Sequence, residues 1–381
     1  MKKVLYLANV FSHFTAFHKP FISLLQGMGM EVHAAASDND GYSLQEIRDM
    51  GVICHDIAIP RNPFSRDLFR VAKTLKKLLI DNNYDLIHVH TPVASFLGRL
   101  LARNLPQTKV IYTAHGFHFY KGAPLLNWLI YFPAEYIACK WTDALICMNK
   151  EDYSRAVKLG FVPNKDLYFV HGVGLDIDAY QNNNCELAQG RANRQYDIDN
   201  RYVICVGELS PRKNQQMLIK AWEFVAKRFP DIKLVFVGMG EQQVALQALA
   251  KDLRIDTMVQ FMGFRRDVPA LLQQADMLVL VSKHEGLPRC IMEAMASCKP
   301  IVASNVRGNQ DLIADGVNGF LVNLGDVQRL AERIMDLLND ETLVQNMGCL
   351  GYTKIQEYNI DKVVEEMHLI YNKFLCSGEF T

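Results

Sequence analysis

Asp276-Met277-Leu278-Val279-Leu280-Val281-Ser282-Lys283-His284-Glu285-Gly286-Leu287-Pro288-Arg289-Cys290-Ile291-Met292-Glu293-Ala294-Met295 decides how this chain is read. Residues 276–281 form a short apolar run of the kind a buried parallel strand needs, and Pro288 marks the first turn of a following helix. Glu285 therefore falls in the strand-to-helix loop and Glu293, eight positions later, inside the helix. A helix N-terminus presents unpaired N–H groups and the positive end of a dipole, so the segment can hold an anion such as a phosphate between two acids. The acids can then grip hydroxyls on either side of that anion.

Working outward, short apolar runs alternate with helix-period segments along the whole chain, the pattern of parallel sheets with crossover helices. Strands are predicted at 3–8, 31–36, 52–57, 85–90, 109–114, 143–148 and 167–171, and again at 202–207, 233–238, 258–262, 276–282, 300–304 and 319–322. The polar, turn-rich stretch 181–200 separates the two series and reads as a linker. The fold class is α/β, with two Rossmann-like parallel-sheet domains: 1–180, onto which 357–381 packs back, and 198–356. Ligands of such sheets bind at the carboxyl ends of the strands, which places them in a cleft between the domains.

Composition excludes several classes. With 41 basic and 41 acidic residues the chain has no basic field for a nucleic-acid partner. Nine scattered cysteines without a C-x-x-C pair fit neither a disulfide framework nor a zinc site, and point to a reducing cytoplasm. The apolar N-terminal run is too short and lacks the cleavage site of a signal peptide, and no stretch approaches the ~20 apolar residues of a membrane span.

A second strand end, Val206-Gly207-Glu208-Leu209-Ser210-Pro211-Arg212-Lys213-Asn214, closes on a glycine and carries two adjacent cations. Alone, an Arg-Lys pair is a common solvated helix start. In the same cleft as Glu285 and Glu293, the planar fork of Arg212 and the mobile charge of Lys213 can neutralise a departing diphosphate. Glycine loops follow at Val237-Gly238-Met239-Gly240-Glu241 and at Gly263-Phe264-Arg265-Arg266-Asp267; the first lets backbone approach a ligand, and the second can lay a nucleobase near Phe264 and Arg265. The polar run 304–311 is placed on the sugar side. Three D-x-D tripeptides, at 38–40, 176–178 and 197–199, are not read as metal sites, because none lies beside these motifs and the basic pair already supplies the charge.

Together these segments resemble the donor half of glycosyltransferase family 4, a family of GT-B fold that transfers sugars from nucleotide sugars with retention and without a metal. The resemblance implies that Arg212 and Lys213 bind the donor diphosphate, that Glu293 binds the ribose and that Glu285 contacts the transferred sugar. It also implies that Gly207, Gly238 and the amides around Gly286, Leu287 and Pro288 line the donor, with no cofactor. In the first half, Tyr112-Thr113-Ala114-His115-Gly116-Phe117-His118 resembles the segment carrying the family's cleft histidine, so His115 is expected to meet the donor sugar or the acceptor hydroxyl. His88 and His90 alternate with Val89, and at most one face of their strand reaches the cleft. Asn9-Val10-Phe11-Ser12-His13-Phe14 stands where many members carry a glycine pair, which assigns that loop to the acceptor.

The expected reaction moves a hexose or N-acetylhexosamine from a nucleoside-diphosphate sugar, by preference UDP, to a surface-polysaccharide or lipid-linked glycan. The alternatives are a nucleotide-sugar epimerase of similar architecture or a non-catalytic sugar-nucleotide-binding relative. A dinucleotide-dependent oxidoreductase lacks its G-x-G-x-x-G after the first strand. An amphipathic helix after Pro63 carries Arg66, Arg70, Lys73 and Lys77 as a basic stripe, and the aromatic-rich stretch 124–141 lies further along. Both suit peripheral contact with an anionic membrane surface, on the inner face of the plasma membrane.

Overall fold

The computed structural model describes residues 1–180 and 201–376; the predicted linker and the third D-x-D lie outside the described residues. The chain divides into two compact units, Met1–Gly174 with the chain from Asp361 onward, and Leu175–Ile360. The sequence reading placed these crossings at 180 and 357. They move because Leu175 bridges Asn359: its amide donates to the Tyr358 carbonyl at 2.9 Å, and its own carbonyl accepts from Ile360 at 2.9 Å. The two passages of chain thus leave the second unit side by side.

The first unit is built on seven parallel strands: β1 (Lys3–Val10), β2 (Glu31–Ser37), β3 (Ile53–Asp56), β4 (Leu86–Val89), β5 (Lys109–Ala114), β6 (Ala144–Cys147) and β7 (Leu167–Phe169). Their order is β3-β2-β1-β4-β5-β6-β7. The second unit has six: β8 (Tyr202–Val206), β9 (Lys233–Val237), β10 (Val259–Phe261), β11 (Met277–Leu280), β12 (Ile301–Ser304) and β13 (Phe320–Val322), in the order β10-β9-β8-β11-β12-β13. Every strand pair is parallel. The central strands are buried on both faces, which is why they read as unbroken apolar runs rather than alternating ones. In each sheet the order reverses once, between β1 and β4 and between β8 and β11, and such reversals open a crevice at the strand ends.

Helices cover both faces. Ile360–Leu375 belongs to the first unit, burying Val363, Met367, Ile370, Tyr371 and Leu375 in the core with Val4, Tyr6 and Ile111. Its Tyr371 hydroxyl lies 2.5 Å from that of Tyr6 and 2.9 Å from His88 Nδ1, so a buried polar junction fixes its register against β1 and β4. The predicted return of the C-terminal segment is thus realised.

Two sequence expectations are corrected. Residues after β1 do not form a loop: the helix Phe11–Phe17 starts directly at the strand end, burying Phe11 and Phe14, and Asn9 turns inward to donate to the Ile59 and Pro60 carbonyls at 3.0 and 3.1 Å. The basic helix spans Leu68–Asn82 and buries Val71, Leu75 and Leu79, so Arg66 precedes it, while Arg70, Lys73 and Lys77 are exposed on it. Asp40 lies just before the short helix Ser43–Asp49 and accepts from the Ser43 amide at 2.8 Å and its hydroxyl at 2.7 Å, a local turn role for the first D-x-D.

Candidate active site

The loop after β8 is pinned before its cations emerge. Gly207 donates to the Val237 carbonyl at 2.8 Å, Leu209 to the Met239 carbonyl at 3.0 Å, and Gly238 to the Gly263 carbonyl at 2.8 Å, so the loops after β8, β9 and β10 hang on one another. Gly238 has φ +138°, and a Cβ there would lie 2.1 Å from the Gly207 carbonyl oxygen. The glycine in this loop therefore answers to backbone packing. From the other side, the Lys283 amide donates to the Arg212 carbonyl at 2.9 Å and Asn214 Nδ2 to the Val281 carbonyl at 3.2 Å. The ends of β8 and β11 are thereby joined across the strand-order reversal.

There the side chains converge. Lys213 Nζ lies 2.7 Å from Glu285 Oε1 and Arg212 Nη1 lies 3.2 Å from Oε2, while Arg307 Nε donates to the Glu285 backbone carbonyl at 2.9 Å. Burial would raise the Glu285 carboxyl, but the Lys213 and Arg212 charges outweigh it and hold it below its ordinary value. Burial likewise disfavours a charged Lys213, and the Glu285 carboxylate outweighs that, raising the ammonium. One carboxylate against two cations leaves local positive charge, and the Arg212 side chain is 37% exposed where that of Lys213 is 12%. The backbone closes tightly behind: Gly308, at φ +79°, would bring a Cβ to 2.5 Å of the Gly286 carbonyl oxygen.

The helix Arg289–Ala296 begins immediately after, with Pro288 at its cap, one residue later than the sequence reading placed it. The amides of Gly286 and Leu287, in the loop just before this cap, donate to no backbone carbonyl of the described residues and stand next to the helix start, where an anion is favoured. Glu293, half-buried in the helix, accepts from Arg289 Nε at 3.0 Å and from the Tyr180 hydroxyl. Burial raises its carboxyl above the ordinary value, with Arg289 and the Tyr180 hydrogen bond opposing. Tyr180 was not anticipated: it stands far from Glu293 in sequence and joins the second unit's core only through the fold. Phe264 is exposed, and Arg265 is forked onto Asp267 at 2.8 and 2.6 Å. The 304–311 run turns inward, Asn309 Nδ2 donating to the Ser304 carbonyl at 2.8 Å.

His115 belongs to the first unit, directly after β5. Its Nε2 lies 3.2 Å from His13 Nε2 and 3.4 Å from His90 Nδ1, and His18 Nε2 lies 3.2 Å from His13 Nε2. The sequence marked His115 but not this gathering; the available signal was a histidine at or just beyond the carboxyl end of each of β1, β4 and β5. His88 and His90 share a strand face, with His88 committed to the core through Tyr371 and, at 2.7 Å, Thr113 Oγ1.

With this geometry in hand, comparison with known proteins is direct. Residues 190–353 match the family model described as Glycosyl transferases group 1, and residues 3–149 match that described as Glycosyl transferase 4-like. EpsD of Bacillus subtilis (strain 168), a protein named as a glycosyltransferase, is 37% identical over 377 residues, covering 98% of this chain and 97% of its own. The UDP-Gal:alpha-D-GlcNAc-diphosphoundecaprenol alpha-1,3-galactosyltransferase of Escherichia coli is 29% identical over 84% of this chain and 81% of its own. Among solved structures, Anabaena Alr3699/HepE in complex with UDP and glucose superposes with a TM-score of 0.79 at 20% identity, over 98% of this chain and 100% of that one. The chain belongs to the group 1, family 4-like glycosyl transferases and is a glycosyltransferase of GT-B fold.

Proposed function

We propose that the enzyme transfers a hexose or N-acetylhexosamine from a nucleoside-diphosphate sugar, UDP before other nucleotides, to a surface-polysaccharide or lipid-linked glycan acceptor. Transfer proceeds with retention and without a metal at the diphosphate. The observation that carries this reading is the junction of Arg212, Lys213 and Glu285 beside the start of the helix Arg289–Ala296. Two cations and open helix amides stabilise the charge that grows on a leaving diphosphate, the task a divalent metal performs elsewhere. Glu285 holds the cations in place and retains lone pairs for the transferred sugar; Glu293, oriented by Arg289 and Tyr180, takes the ribose hydroxyls. The acceptor hydroxyl approaches the face that the diphosphate leaves, and its proton passes to a donor phosphate oxygen. His115 Nδ1, which makes no hydrogen bond to the described residues, is assigned to the sugar or the acceptor. UDP is favoured because the Escherichia coli relative is named for UDP-Gal and the Anabaena structure holds UDP and glucose.

A lipid-linked acceptor calls for a membrane-facing surface. No described helix is long and apolar enough to cross a membrane. The first unit exposes Phe64 and Phe69 beside Arg66, Arg70, Lys73 and Lys77, and also Leu125, Leu126 and Leu129 on the helix Leu125–Ala138. Apolar side chains ringed by cations fit an anionic bilayer surface. Flotation with anionic vesicles, wild type against a variant lacking the four cations, tests this part; equal binding refutes it.

The donor is tested by screening UDP-, GDP- and ADP-sugars for thermal stabilisation and turnover, with Mg2+ and Mn2+ left out. Selective turnover of a UDP-sugar, with retained anomeric configuration in the product, is expected. Isomerised sugar without transfer would replace the reading by an epimerase, and binding without turnover by a non-catalytic relative.

A further inference from the structure

Four imidazoles meet at the carboxyl edge of the first sheet. His13 lies in the helix Phe11–Phe17, His18 follows that helix, His90 follows β4 and His115 follows β5. A ring nitrogen of each lies within 4.8 Å of the others. Hydrogen bonding does not account for the gathering. A neutral imidazole nitrogen carries one proton or one lone pair. The three contacts run in series, His18 to His13 to His115 to His90, through single nitrogens of His13 and His115, so at most two of the three can be donor–acceptor pairs at once. The opposite ring nitrogens, His18 Nδ1 and His90 Nε2, are buried without a partner, so no outward hydrogen bond fixes either ring.

The spacing fits a metal ion. Zn–N bonds of about 2.0–2.1 Å in a tetrahedron set neighbouring nitrogens about 3.3–3.4 Å apart, and the three contacts measure 3.2, 3.2 and 3.4 Å. The other three pairs lie within 4.8 Å. Burial disfavours the charged form of each ring, lowering His13 to about 4 and His18, His90 and His115 well below their ordinary value. With no carboxylate in the group, the donor set excludes calcium and magnesium and suits first-row transition ions. The cluster flanks the reversal between β1 and β4, where open parallel sheets place ligands.

We propose that His13, His18, His90 and His115 form a four-imidazole site for a divalent transition metal, with zinc the best fit, tying the helix Phe11–Phe17 to the ends of β4 and β5. Four protein ligands leave no open position, so the ion is structural: it fixes His115 through Nε2 and leaves Nδ1 to the sugar or acceptor. The site belongs to the first unit and does not depend on the donor reading in the second.

Full-length protein stripped with a chelator is titrated with Zn2+ against a chromophoric competitor, and separately with Co2+ while its visible spectrum is recorded. One Zn2+ per chain, a rise in Tm and the intense visible band of four-coordinate Co2+ are expected. His13→Gln and His90→Gln should each weaken Zn2+ binding by at least the about 10–100-fold that loss of even an outer partner costs, and abolish the band. Circular dichroism verifies that the variants fold. No stoichiometric Zn2+ in the wild type, only the faint spectrum of six-coordinate Co2+, or folded variants that bind as tightly as the wild type would overturn the proposal. If neither variant folds, the wild-type Co2+ spectrum decides.

Discussion

The two sheets share one strand order around their reversals and place opposite chemistry there. At β8/β11 a carboxylate is locked between two cations beside a helix start; at β1/β4 four neutral imidazoles face one another with no carboxylate among them. Topology therefore decides where a ligand can sit, and the residues that happen to end each strand decide what kind. The second unit is equipped for a polyanion that comes and goes. The first is equipped to hold something that stays.

The sharpest way to break this contrast is to remove a cation. Lys213→Ala should lower sugar transfer by about 10²–10³-fold, the scale of losing one preorganised donor to developing charge, and lower Tm as well, because the buried Glu285 carboxylate loses its closer partner. Next comes the backbone beneath it. Gly238→Ala forces a Cβ against the Gly207 carbonyl at a positive φ and should cost about 1–3 kcal/mol of stability, with weaker UDP binding by calorimetry. The first unit is probed by acid. Burial lowers His13 to about 4 and His88 to about 3, so the unfolded chain takes up protons below pH 6.5 that the folded one refuses. Stability is complete above the unfolded value and falls toward pH 4, by about 1.4 kcal/mol per pH unit for each imidazole kept neutral. Hydrogen exchange in metal-free protein should accordingly show β1, β4 and β5 loosening before β8 and β11. The smallest effect concerns Tyr180: losing its hydrogen bond to Glu293 in Tyr180→Phe should weaken UDP binding only several-fold, on the order of 0.5–1.5 kcal/mol.

Much of this was legible in the sequence, for identifiable reasons. Strands buried on both faces announce themselves as unbroken apolar runs, so all thirteen described strands fall on predicted segments, with ends shifted by a residue or two. The meeting of Arg212 and Lys213 with Glu285 was readable because each lies at a short offset from a strand end. What escaped was whatever the tertiary fold alone assembles. Tyr180 reaches Glu293 across more than a hundred residues, and His13, His18, His90 and His115 meet only because β1, β4 and β5 are neighbours in the sheet. The segment after β1 misled because the family resemblance implies a loop there, whereas Phe11 and Phe14 bury as a helix face.

The central claim is that the donor diphosphate binds at the reversal of the second sheet. Hydrogen exchange of the wild type and Lys213→Ala with and without UDP tests it most directly. The account predicts protection of amides in peptides spanning 207–214 and 285–293, lost in Lys213→Ala. Protection confined to peptides around His13, His90 and His115, unchanged by Lys213→Ala, would contradict it.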